Sequence, residues 1–162
     1  MANRITYRQR PELEAVQMSN GLTSVFIAVL SLAASSLAKS DRQRELAVWL
    51  AGHDQGVFGI GMVGFDIADL PWHSSADRDF LLAAVRAAKA KTGWERMDYV
   101  PREDWVFDRL DHFRELILAF DLSHASRDAE SSWNDARPAS FEACSKHGVY
   151  LHSGGCVVCN DR

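Results

Sequence analysis

The chain has 162 residues, 47% hydrophobic and 25% charged, with a formal net charge of −4 and a pI near 5.8. That length allows one domain with a hydrophobic core plus a short appendage, and excludes two full domains. The composition excludes the disordered and low-complexity classes, and the acidic balance excludes a general attraction to phosphate backbones.

Residues 1–19 are polar; Ile5-Thr6-Tyr7 suggests a short strand and residues 11–18 a helical turn. Arg4, Arg8 and Arg10 precede an uncharged run from Leu22 to Ala38 that closes in Ser36-Leu37-Ala38, the outline of a cleaved signal. Glu12 and Glu14 interrupt the basic region, however, and Ser24, Ser31, Ser35 and Ser36 dilute the apolar one. Leu22, Phe26, Val29, Leu30, Ala33 and Leu37 recur by threes and fours, which predicts a buried core helix and neither a leader nor a membrane span. A second helix follows from Arg42 to Ala51, capped by Ser40-Asp41 and stopped by Gly52.

Between residues 52 and 71 the glycines at 52, 56, 59, 61 and 64 alternate with large apolar residues, which predicts a loop or short hairpin, because each interior glycine costs a helix up to ~1 kcal/mol. Gly59, Gly61 and Gly64 have the literal spacing of a dinucleotide fingerprint. A helix should start where Asp66 to Pro71 stand, so the strand, turn and helix context is missing. A third helix is expected from about Ala76 to Lys91, ended by Thr92-Gly93, then an extended stretch from Trp94 to Val100. A fourth helix should start at Pro101 and reach about Asp121, with Val106, Leu110, Phe113, Ile117 and Phe120 on one stripe. Trp49 belongs in the core, and Trp72, beside Pro71, is the candidate for a semi-exposed interaction surface.

Residues 123–140 are polar apart from Trp133 and predict a linker. The domain plan is therefore a mainly helical body over 1–122, the linker, and a small tail over 141–162. The fold class is mostly α, with α+β possible through a minor β element.

All three cysteines lie in that tail, which suits a reducing compartment better than a secreted disulfide framework. Cys144 and His147 form one pair with two residues between them, and Cys156 and Cys159 form another. A tight turn lets both members of each pair face one ion, and the chain between the pairs brings them together, the arrangement that tetrahedral zinc requires. In this pattern, CxxH…CxxC, the tail resembles zinc-ribbon and zinc-knuckle modules. The resemblance implies a structural Zn2+, while the spacer of eight residues implies one compact loop instead of a long ribbon. His152 could take the place of His147 as a ligand, but it lacks the paired spacing and is read as an exposed strand residue. Cys156 and Cys159 alone have the spacing of a redox pair, without the βαβ setting such a pair occupies.

Four filled positions leave no site for water or substrate, so the zinc is expected to stabilise and not to hydrolyse. No catalytic residue is assigned. The expected function is protein binding in the cytoplasm, as a bacterial-type adaptor, inhibitor or immunity protein. The alternatives are a metal-dependent hydrolase with a site around His53, Asp54, Asp66, Asp69 and His73, and a zinc-ribbon regulator that binds nucleic acid. Asp66, Asp69, His73 and Asp77 also fit turns and helix caps, and Asp108, Asp111, His112 and Glu115 fit a solvated helix face.

Overall fold

Helix α1 (Asn20–Leu37) begins at Ser19, whose side chain accepts from the Leu22 amide, and every residue from Phe26 to Ser35 is buried. The sequence suggested one apolar stripe; the helix is instead enclosed all round, as its mixture of Leu, Ala and Ser permits. The computed structural model describes residues 3–161. Against α1 pack α2 (Asp41–Ala51), α4 (Ser75–Lys89) and α5 (Glu103–Ala119), with the four-residue α3 (Gln55–Phe58) between α2 and α4. Phe26 meets Phe113 of α5 edge to face with ring centres 5.7 Å apart.

The expected strand near Ile5 is β1 (Arg4–Thr6). It pairs antiparallel with β2 (Val16–Gln17), where a helical turn was expected, and parallel with β3 (Phe65–Asp66). Val16, opposite Ile5, is fully buried, and that burial decides for the strand. The body is therefore mostly helical with a small three-stranded sheet.

Ser74 and Asp77 close a capping box at the start of α4. Arg42 of α2 grips the same Asp77 from Nε at 3.0 Å and Nη2 at 2.8 Å, tying two helices together. The stretch after α4 is a short 3-10 turn at Trp94–Arg96 instead of an extended segment, and α5 starts two residues beyond Pro101.

Trp72 is not semi-exposed. Its ring is buried and stacked on Phe120 at 4.8 Å, and its Nε1 donates to the Ile67 carbonyl at 2.8 Å. The polar stretch 123–140 contains helix α6 (Arg127–Ala136), capped by Ser126 with Asp128 and Glu130 in its first turn. No residue of α6 is buried. The Ser126 amide bonds to the Ala68 carbonyl at 3.0 Å, and the Trp133 indole donates to Glu45 of α2 at 2.6 Å, so the helix lies against the body.

The tail shares the body's core. Val149, Val157 and Val158 are buried in the same cluster as α1 and α5, the last two on helix α7 (Val157–Asn160). The Tyr150 amide donates to Ser35 of α1 at 3.1 Å, and Arg44 of α2 donates to the Tyr150 hydroxyl at 3.1 Å.

Candidate metal centre

Two tight turns carry the four candidate ligands. At the first, the Gly148 amide bonds back to the Cys144 carbonyl and the Cys144 amide to the Val149 carbonyl, both at 2.8 Å. Gly148 has φ +69°, the left-handed conformation that favours glycine, and the Arg96 guanidinium closes over it. At the second, Cys156 leads into α7, where the Asn160 amide bonds to the Cys156 carbonyl at 3.0 Å. Gly155, at φ +102°, closes the small loop that begins at His152. Gly154 is needed for a different reason: a Cβ there would lie 2.7 Å from Val57 of the body.

These turns bring one donor atom each from Cys144, His147, Cys156 and Cys159 within 4.8 Å of one another. His147 presents Nδ1, at 3.7 Å from the sulfurs of Cys144 and Cys156 and 3.3 Å from that of Cys159. The Cys144 and Cys159 sulfurs are 3.7 Å apart. All four residues named from spacing alone meet at one point and can hold a metal ion.

Burial pushes the Cys156 thiol up to about 12. Burial alone would also raise Cys144, but the backbone N–H groups of His147 and Lys146 outweigh it and hold that thiol below its ordinary value. An ion bound at this point would replace the thiol protons, and the amides that favour the Cys144 thiolate would serve the same end.

His152 is buried, not exposed on a strand. Its Nδ1 accepts from the Gly154 amide at 3.0 Å, so Nε2 carries the proton and donates to Asp54 at 2.7 Å. Asp54 lies ninety-eight residues away, which is why nothing near His152 in sequence announced the pairing. Asp54 also accepts from the Gly56 amide and from Asn160 Nδ2, each at 2.9 Å, so one carboxylate caps α3 and anchors the tail.

The other candidates serve separate ends of the fold. His53 packs against Trp49 and Phe65 and donates to the Trp49 carbonyl at 2.9 Å. Asp66 and Asp69 form a capping box around a 3-10 turn, and Asp66 accepts from the Arg8 amide at 3.0 Å. His73 lies 3.5 Å from Glu130 on the surface of α6. Among the described residues, no other group of His, Cys, Asp and Glu gathers closely enough to share an ion.

Sequence reasoning did not pick out the residues after Asp54, where Val57, Phe58, Ile60 and Met62 are all exposed. Their signal was present in the alternation of glycine with large apolar residues and the lack of any charge between Gln55 and Phe65. No family model matches the chain, and neither a curated protein nor a solved structure matches it.

Proposed function

We propose that this chain is a protein-binding domain of the adaptor, inhibitor or immunity type, with a structural zinc ion in a zinc-ribbon-like tail. Zinc bonds of about 2.3 Å to sulfur and about 2.0 Å to nitrogen give tetrahedral edges of about 3.5 to 3.8 Å. The four separations of 3.3 to 3.7 Å that involve His147 or join Cys144 to Cys159 are close to those edges, all four donor atoms lie within 4.8 Å of one another, and three thiols with one imidazole favour zinc over the hard cations. A Cys3His set fills the tetrahedron, so the ion's role here is to hold Val149, Val157 and Val158 against the body. Thiols kept for a metal suit a reducing compartment, the cytoplasm.

The observation that carries the binding role is the exposed apolar run formed by α3 and the loop that follows it. Ile60 is 70% exposed, Met62 64%, Phe58 53% and Val57 44%. The chain does not leave them out for want of anchoring. Gln55 donates to the Asn20 carbonyl at 2.7 Å and to Ser24 at 2.9 Å, and accepts from the Gly61 amide at 3.0 Å, so both ends of the loop are pinned while its side chains face water. Large apolar side chains held exposed in this way are characteristic of an interaction surface.

Metal analysis by mass spectrometry tests the zinc: one per chain is expected, lost in Cys156→Ser, and a metal-free wild type overturns it. For the binding role, a photocrosslinker at Met62 is irradiated in extract with unlabelled chain as competitor. An adduct competed by wild type but not by Ile60→Asp is expected. Adducts that the two competitors suppress equally overturn the role assigned to this loop.

A further inference from the structure

Helix α3 carries Val57 and Phe58, the first two exposed apolar side chains of the docking face, and the tail packs directly against it. A Cβ on Gly56 would lie 2.5 Å from the Asn160 carbonyl oxygen, and one on Gly154 would lie 2.7 Å from Val57, so the two segments meet with no room for a side chain. Asn160 Nδ2 and His152 Nε2 both donate to Asp54, the residue that caps α3, at 2.9 and 2.7 Å.

Asn160 directly follows the candidate ligand Cys159, and its amide closes a turn on the carbonyl of the candidate ligand Cys156 at 3.0 Å. The residue pressed on α3 is thus fixed by the turn that presents two of the four donor atoms. With four residues, α3 is far below the roughly 12 at which an isolated helix holds itself in water, so its geometry is imposed by its neighbours. One edge of the docking face rests on α1 through Gln55. The other rests on the tail through Asp54, Gly56 and Val57. The tail has few buried apolar anchors of its own, Val149, Val157 and Val158 among them, so bonds from its four ligands to an ion would supply much of the energy that keeps Asn160 in place.

We propose that Zn2+ is an effector of docking: occupancy of Cys144, His147, Cys156 and Cys159 holds Asn160 against α3 and so keeps Val57, Phe58 and the loop after them in the conformation that a partner recognises. This rests on the protein-binding reading and names the regulation of that surface. The two states are the tail docked on α3 and the tail released from it. Linkage is reciprocal, so a docked partner tightens zinc by the same factor as zinc tightens the partner.

The test uses the 15N-labelled full chain, zinc-loaded and after chelation, with backbone order parameters as the first readout. Those of Gly56, Val57 and Phe58 should stand near about 0.85 with zinc and fall below about 0.6 without it, while those of α1 and α5 stay high. The second readout is zinc affinity, by competition with a chromophoric chelator. Gly56 lies outside the left-handed region and its crowding comes from Asn160, so Gly56→Ala should weaken zinc at least about fivefold, through overpacking felt only when the tail is docked. Gly21→Ala, in α1 with nothing within 4 Å of the added carbon, should leave the affinity unchanged. Order unchanged after chelation, order lost through α1 and α5 as well, or equal zinc affinity in the two variants overturns the proposal. The third readout is the Met62 photocrosslink in extract, in the wild-type background and in Cys156→Ser, which lacks a ligand and so is not reloaded by zinc from the extract. The competed adduct should fall at least about tenfold in Cys156→Ser. An adduct equally strong in both overturns this inference and leaves the docking role standing. Loss of order at α3 with no competed adduct even from the zinc-loaded wild type overturns the docking role and supports the link between the tail and α3.

Discussion

His152 and Asp54 meet through a 2.7 Å hydrogen bond with both side chains almost wholly enclosed, and this contact joins the cysteine-bearing tail to the body. The carboxylate takes three donors, from His152, Asn160 and the Gly56 amide. Asp54→Ala therefore leaves three donors without their acceptor, the buried His152 among them, at a cost of about 3 kcal/mol. Urea unfolding of the metal-loaded protein measures it. A loss below about 1 kcal/mol would show that water or another acceptor replaces the carboxylate.

Removing the metal should undock the tail without melting the body. The valines at 149, 157 and 158 hold the tail to the core, but no segment of α1, α2, α4 or α5 depends on the four ligands for its backbone bonds. Chelation should leave the helical circular dichroism nearly unchanged. Amide exchange at Cys144, Gly148 and Leu151, which bond within the tail, should rise by orders of magnitude. Exchange unchanged across residues 141–161 would mean that packing alone keeps the tail in place.

What was legible in the sequence was what is local. Cys144 with His147 and Cys156 with Cys159 could be read because a two-residue turn fixes each pair, and Val106 through Phe120 because helical spacing recurs along one element. What escaped depends on distant partners. His152 was read as exposed because its acceptor belongs to another part of the chain, and Trp72 because its stacking partner Phe120 arrives from the end of α5. Helix α6 escaped for the opposite reason: it buries nothing of its own and so has no apolar stripe to show, although its cap Ser126 was in plain view.

The two tryptophans separate these cases experimentally. Trp72 is 5% exposed and loses both its stacking on Phe120 and its bond to Ile67 on truncation, so Trp72→Ala should cost about 3 to 5 kcal/mol. Trp105 is 52% exposed, with its ring under the Arg102 guanidinium, and Trp105→Ala should cost less than about 1 kcal/mol. Thermal or urea denaturation of both variants decides it, and equal losses would contradict the packing around Phe120.

His53 predicts an acid sensitivity with a definite sign. Its folded value, lowered to about 4 by burial from an ordinary 6.5, means that the unfolded chain binds a proton more readily than the folded one between those limits. The burden is absent above pH 6.5, grows as pH falls toward 4, and reaches about 2 kcal/mol of lost stability at pH 5. His53→Asn keeps an N–H able to reach the Trp49 carbonyl but cannot titrate. Between pH 7.5 and pH 5 the variant should therefore lose about 2 kcal/mol less than the wild type, in parallel urea titrations of metal-loaded protein. The ligand thiols titrate in both proteins and cancel in the difference, so identical losses would show that His53 is free to take up its proton in the folded state.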